Sequence, residues 1–179
     1  GRGTRLDTDR EKPLFEVDDR PLVGHVLDAL AGSRVEQVYA AVSPATPETA
    51  DALTARGVTR IETSGEGYVA DLRAALERLP PPVLTVAADV PLLTGDAVDR
   101  VLDRYDGIDA VQVCVPAALK RRLGVSADTT YDADGREAAP AGINVVPATD
   151  TETVLLTDDV RYAVNVNRPG DAAVAETLL

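Results

Sequence analysis

Apolar runs alternate along this chain with segments whose apolar residues recur at helical spacing. That is the pattern of a mostly parallel sheet covered by helices. Leu22, Val23, Val26, Leu27 and Leu30 mark one face of a helix over Pro21 to Leu30, stopping near Gly32. Val35 to Val42, rich in Val and Ala, reads as a buried strand. A helix over Pro47 to Ala55 is stopped by Gly57, and Val58 to Glu62 forms a short strand. Val69, Leu72, Ala75, Leu76 and Leu79 line an amphipathic helix over Tyr68 to Leu79, broken by Pro80-Pro81-Pro82. Val83 to Ala88 gives the strongest buried-strand signal and runs straight into Asp89. A helix over Asp96 to Tyr105, with Thr94 as its cap, and a strand over Asp109 to Val115 follow. Beyond them the pattern changes to a hairpin turn at Tyr131 to Arg136, strands at Ile143 to Val146 and Arg161 to Val166, and a closing helix over Asp171 to Leu179. No internal repeat or low-complexity linker interrupts the chain, so one domain over 1–179 is expected, with some antiparallel pairing in its later half.

In parallel α/β sheets ligands bind beyond the carboxyl ends of the strands. Four polar clusters fall at such ends: Ser43-Pro44-Ala45-Thr46, Thr63-Ser64-Gly65-Glu66-Gly67-Tyr68, Asp89-Val90-Pro91 and Asn165-Val166-Asn167. Asp89 emerges where its strand leaves the core. A hard cation such as Mg²⁺ takes one or two carboxylates plus phosphate oxygens and water, and Asp89 is the best candidate for it. The plainer role for an Asp in that place is a turn or helix cap. Asn165 and Asn167 alternate faces at a strand end, so only one of them is expected to aim into the site. Ser43, Thr46, Ser64, Gly65, Gly67 and Asp71 offer amide, hydroxyl and carboxylate groups that suit a purine edge and a ribose; an ordinary β–α connection would use the same residue types. His25, the sole histidine, falls in the first helix and reads as a helix-surface residue.

The chain opens on Gly1-Arg2-Gly3-Thr4-Arg5-Leu6, followed by Glu11-Lys12-Pro13-Leu14. Gly1 and Gly3 let the backbone approach phosphate, and free N–H groups through Thr4 can point at its oxygens. Arg5 offers a planar fork to two oxygens and Lys12 a compact charge near a reacting phosphorus. Two familiar alternatives fail. The dinucleotide fingerprint requires a third Gly where Leu6 stands, and the mononucleotide P-loop requires a Gly-Lys-Ser/Thr that is absent.

Composition narrows the partners. Thirty acidic against 18 basic residues give a net charge of −12, which repels a polyanion and argues against nucleic acid. Lys12 and Lys120 are the only lysines, so a lysine inside the phosphate motif is less easily read as surface decoration. The single cysteine, Cys114, lies in an apolar run and reads as a buried strand residue in a reducing interior. No apolar run approaches the roughly 20 residues that span a bilayer, and no signal peptide is evident, so a cytoplasmic protein without a membrane partner is expected.

Glu-Lys-Pro-Leu after Gly-x-Gly-Thr-Arg resembles the nucleotidyltransferases that read Gly-Gly-x-Gly-Thr-Arg-Met, a spacer, then Glu-Lys-Pro-Leu. In those enzymes a strand and one further Gly come first, so the sequence reads as truncated inside its own signature, with its first strand missing. Thr63-Ser64-Gly65-Glu66-Gly67-Tyr68 with Asp71-Leu72, Pro140-Ala141-Gly142-Ile143-Asn144-Val145-Val146 and Asn165-Val166-Asn167 are similar to the archaeal adenosylcobinamide-phosphate guanylyltransferases. That resemblance implies a Rossmann-like, three-layer α/β nucleotidyltransferase fold. It implies GTP and a corrinoid phosphate as partners, with attack of the acceptor phosphate on the α-phosphorus of GTP. Arg5 and Lys12 would hold the phosphates, Asp89 and Asn167 would hold Mg²⁺, and Asn144 would lie on the acceptor side. A homodimer is a further expectation. A molybdenum-cofactor guanylyltransferase shares the opening motif but carries Gly-Pro-Leu-Ala-Gly where this chain has Ser64-Gly65-Glu66-Gly67-Tyr68. A non-catalytic nucleotide-binding module would not need both Lys12 and Asp89.

So acidic a surface repels itself in dilute buffer, and molar salt screens that repulsion. Adaptation to high salt is therefore expected, and the Tm should rise from dilute buffer to molar KCl. A Tm that does not rise with salt would remove it.

Overall fold

The computed structural model of the chain describes residue 6 and residues 9–149 and 151–179. Lys12–Leu14 forms a short 3-10 helix, and Glu16–Val17 (β1) and Arg20–Pro21 (β2) pair as a small hairpin. Then come α1 (Leu22–Ala31), β3 (Tyr39–Val42), α2 (Pro47–Ala55), β4 (Thr59–Glu62), α3 (Tyr68–Leu76) and β5 (Val83–Val86). The later half holds α4 (Gly95–Leu102), β6 (Ala110–Pro116), α5 (Ala117–Leu123), β7 (Tyr131–Ala133), β8 (Arg136–Val146), β9 (Glu152–Leu156) and α6 (Pro169–Leu178). No helix of the described residues is long and apolar enough to cross a membrane.

Strands β3 and β4 pair in parallel. The larger sheet has the order β5-β8-β6-β9, with β7 folded back on β8. β8 runs antiparallel to both β5 and β6, while β9 is parallel to β6. A single reversed strand thus sits among strands of one direction, which is the antiparallel admixture the later half was expected to contain. Asp134 and Gly135, both at positive φ, make the tight β7–β8 turn read from the sequence.

The main core lies between this sheet and helices α1 and α4. Val26, Leu30, Val98, Val101, Val113 and Ile143 meet there. A second cluster gathers Leu6, Val17, Leu22, Leu92, Val164, Val166 and Ala172, and so ties the first residues of the chain to the last loop and helix. Truncating one of these buried leucines to Ala would cost about 2–5 kcal/mol. Cys114 is buried in β6 beside the Tyr131 hydroxyl, and burial pushes its thiol above the ordinary range.

Several expectations need correction. Val35 to Val38 is not strand, and β3 is largely exposed; β5, the most apolar run, is only half-buried. Beside both strands lies an apolar slot of about 570 Å³, lined by Val38, Tyr39, Leu72, Leu76, Leu84 and Val86 among others. Arg161 to Val166 is not a strand either. Asp159 accepts from the Arg161 N–H and folds Val160–Tyr162 into a 3-10 turn, after which residues 164–167 join no strand among the described residues. His25 is buried, not on the surface: its Nε2 sits 2.9 Å from the Val17 carbonyl and pins α1 to β1. Helix α5 and strand β9 were not foreseen.

One edge of β3 and one of β5 have no strand beside them among the described residues, whereas β6 is paired on both sides. Alternate amides of β3 and β5 should exchange with deuterium orders of magnitude faster than those of β6. Uniform protection across all three strands would contradict the open slot.

Candidate active site

The site forms where β5 ends. The chain leaves Val86, turns through Asp89, and the Asp89 carbonyl accepts the Val166 N–H at 2.9 Å. That bond fastens the Asp89 turn to the Asn165-Val166-Asn167 segment. Asp171, 2 % exposed in the first turn of α6, takes the N–H of Asn167 and of Arg168 at 2.9 Å each. The same carboxylate takes the Ser126 N–H at 2.7 Å and its hydroxyl at 2.8 Å. Four donors on one buried anion hold the 165–167 segment against the loop that follows α5.

Lys12 reaches this point from the other end of the sequence. Its Nζ lies 2.5 Å from Asp89 Oδ2 and 2.7 Å from Asn167 Oδ1, across separations of 77 and 155 residues. Both charged side chains are about four-fifths shielded from water, at 20 % and 17 % exposure. Asn165 Nδ2 donates to Asp89 Oδ1 at 3.1 Å and to the Ala141 carbonyl at 3.0 Å, and Lys120 Nζ donates to Asn165 Oδ1 at 2.9 Å. Gly142 keeps this arrangement tight. At φ +79°, its backbone lies so close to Ala87 that a Cβ would stand 2.8 Å from the alanine methyl.

The segment carrying Lys12 is itself anchored. The Glu11 carboxylate accepts the N–H of Glu48 at 2.9 Å and the N–H and hydroxyl of Thr49 at 2.7 and 2.5 Å. It thereby caps the first turn of α2, a task Thr46 does not perform. Burial pushes the Glu11 carboxyl up, but the Thr49 hydroxyl and the two N–H donors outweigh it and leave the group below its ordinary value. Because the folded value is the lower one, this anchor is fully made above the ordinary carboxyl value. It is lost as the pH falls through the depressed one.

The expected site residues fall into four sets, one of them outside the described residues. Lys12, Asp89 and Asn167 are brought together. Asn165 joins them, contrary to the expectation that only one of the two asparagines reaches the site. Their segment is not a strand, so the two-residue alternation does not apply to it. A second group lies on the β3–α2 and β4–α3 connections. Ser43 is half-buried; Thr46 is buried, its hydroxyl donated to the Ser43 carbonyl at 3.2 Å. Ser64 is exposed and donates to Glu66, and the Asp71 carboxylate accepts the Gly65 N–H at 2.9 Å across the turn made by Gly65 and Gly67. Asn144, on β8 opposite Thr85, donates to the Thr85 hydroxyl at 3.3 Å and, among the described residues, makes no hydrogen bond to the Lys12 cluster. Gly1, Gly3, Thr4 and Arg5 lie outside the described residues. Lys120, Gly142, Asp171 and Ser126 were missed. The rarity of lysine in this sequence was the one available signal for Lys120.

Among the described residues no three His, Cys, Asp or Glu side chains gather to hold a metal. One carboxylate and one amide oxygen are what Mg²⁺ asks of a protein when phosphate and water supply the remaining ligands. The ammonium of Lys12 already bridges such a pair, Asp89 Oδ2 and Asn167 Oδ1.

Comparison with known proteins adds the family. The MobA-like NTP transferase domain matches residues 1–168. This chain belongs to that family. It is 29 % identical over 194 aligned positions to the adenosylcobinamide-phosphate guanylyltransferase of Methanocaldococcus jannaschii, covering all of this chain and 93 % of that protein. The bifunctional protein GlmU of Rhizorhabdus wittichii is 31 % identical over 121 positions, 62 % of this chain but only 25 % of GlmU. Among solved structures, 4-diphosphocytidyl-2C-methyl-D-erythritol synthase superposes with a TM-score of 0.71 at 20 % identity, over 93 % of this chain and 92 % of that one. A CMP:2-keto-3-deoxy-manno-octonic acid synthetase solved with CTP gives 0.56 at 19 % identity, over 80 % and 71 %. These likenesses establish the α/β nucleotidyltransferase fold with mixed sheets.

If Lys12 fills a cation position, removing it leaves Asp89 without its counter-charge. Lys12→Met should then bind Mn²⁺ in the absence of nucleotide several-fold more tightly than the parent protein, read by titrating the free-Mn²⁺ electron paramagnetic resonance signal. Unchanged or weaker binding would show that the ammonium occupies no such position.

Proposed function

We propose that this nucleotidyltransferase moves GMP from GTP to adenosylcobinamide phosphate, giving adenosylcobinamide-GDP and pyrophosphate. The observation that carries the reading is the Lys12 ammonium bridging Asp89 and Asn167, a cation from early in the chain held between one oxygen from its middle and one from near its end. The choice of acceptor rests on the full-length similarity to the Methanocaldococcus jannaschii guanylyltransferase. The match to GlmU covers less than two thirds of this chain, so it carries no part of the choice of acceptor.

In this reading an oxygen of the acceptor phosphate attacks the α-phosphorus of GTP, and the bond between that phosphorus and the oxygen bridging to the β-phosphate breaks. The released electron pair leaves with pyrophosphate. Such a transfer needs little covalent participation by protein; positioning and neutralisation of charge carry it. Lys12 turns its ammonium toward the phosphates, and Arg5 adds a second cation. Asp89 and Asn167 would hold Mg²⁺, which would supply further neutralisation of the phosphate charge. Ser43, Thr46, Ser64 and the Gly65–Gly67 turn braced by Asp71 face the nucleoside, and Asn144 serves the acceptor side. The protein acts as one nucleotidyltransferase domain, and its −12 charge suits a salt-rich interior.

The test is pyrophosphate release in Mg²⁺ and molar KCl, with GTP or ATP offered alongside adenosylcobinamide phosphate. Release that requires both GTP and the corrinoid is expected. Lys12→Ala and Asp89→Ala should each lower turnover at least about a hundredfold with the fold intact by circular dichroism, the scale of losing a preorganised charge contact. Tight GTP binding without corrinoid-dependent release would overturn the acceptor and bring molybdopterin forward. Near-parental rates in either variant would remove that residue from the chemistry.

A further inference from the structure

Lys120 is the only lysine besides Lys12, and α5 carries it beneath the site with 3 % of its surface exposed. Among the described residues no carboxylate pairs with it directly; its hydrogen bond goes to the amide oxygen of Asn165. Burial lowers the proton affinity of the amine, against the fields of Asp171, Asp89 and Asp128, which favour the charged form. A buried ammonium without an ion-pair partner is costly, and an apolar side chain of similar length would fill the same space. What the ammonium contributes is direction.

A carboxamide has an accepting end and a donating end, and a flip exchanges them. Lysine can only donate. Meeting Asn165, it must meet the oxygen, which turns the NH₂ group toward Asp89 Oδ1 and the Ala141 carbonyl. With Oδ1 engaged there, Asp89 presents Oδ2 to the cation position that Lys12 fills. We propose that Lys120 is a positioning residue: acting through Asn165, it fixes the Asp89 carboxylate so that Oδ2 faces the divalent cation arriving with the nucleotide. This rests on the reading of the site as a metal–nucleotide site.

The test is a double-mutant cycle on Mn²⁺ affinity, read by electron paramagnetic resonance with a non-hydrolysable GTP analogue present. Loss of a hydrogen bond supporting a metal ligand typically weakens metal binding by about tenfold or more. Lys120→Met and Asn165→Leu should each weaken Mn²⁺ binding about tenfold, and the double variant no more than either alone. Lys120→Arg, which can also only donate, should recover most of the loss. Should Lys120→Met fail to fold, Lys120→Leu, which likewise offers Asn165 no donor, takes its place in the cycle. Losses that multiply in the double variant would overturn the proposal, because Lys120 would then act by its own charge. Unchanged affinity with a shifted Tm would overturn it as well, leaving a packing role. If the parent protein binds no Mn²⁺ with the analogue, the metal–nucleotide reading itself fails, a result distinct from either of these.

Discussion

An anion taken most of the way out of water needs a donor on each of its oxygens, and the Asp89 carboxylate organises the site on those terms. Oδ2 has the Lys12 ammonium and Oδ1 has the Asn165 amide. Each donor must come from a distant part of the sequence, because the residues next to Asp89 enter the core. Val90, Pro91, Leu92 and Leu93 are all buried. The chain therefore brings its opening segment and its last loop to the end of β5. Glu11 on the α2 N-terminus and Asp171 on the 165–167 segment fix those two arrivals.

The result is a polar layer whose members depend on one another. Lys120 orients Asn165, Asn165 engages one oxygen of Asp89, and Lys12 takes the other together with Asn167. Low local dielectric strengthens each bond while its neighbours are in place and penalises each orphan when they are not. Such a cluster holds the Lys12 ammonium and the Asp89 and Asn167 oxygens in fixed relation to one another, the preorganisation that a phosphoryl-transfer site requires. The neighbouring slot between β3 and β5 affects the scaffold more than the chemistry, since it leaves the strand that delivers Asp89 only half-buried.

The sequence made part of this legible, for physical reasons that can be traced. Helix α2 was read to the residue because Pro47 starts it and Gly57 follows its end, both local signals. Asp89 was singled out because a polar residue where an apolar strand ends has few other reasons to be there. Lys12 was read from its phosphate-type motif and the scarcity of lysine, and Asn167 was given its role by the family resemblance. The failures came where tertiary contacts decide. Val35 to Val42 and Val83 to Ala88 look buried by composition, but burial depends on neighbours that no local pattern encodes. Arg161 to Val166 has strand-like residues, yet Asp159 captures the Arg161 N–H and starts a 3-10 turn. His25 looked exposed because nothing in the helix pattern reveals the Val17 carbonyl waiting for it. Asp171 was read as a helix start, and its four donors converge only after folding.

The central claim is that the oxygens around Lys12 receive the cation accompanying a nucleotide. Paramagnetic broadening tests it most directly: substoichiometric Mn²⁺ with GTP, added to ¹⁵N-labelled protein, read at the asparagine side-chain amides. The Asn165 and Asn167 amide signals should broaden first, together with the ³¹P resonances of GTP. Broadening of the phosphates with those two amides untouched would place the metal elsewhere and contradict the account.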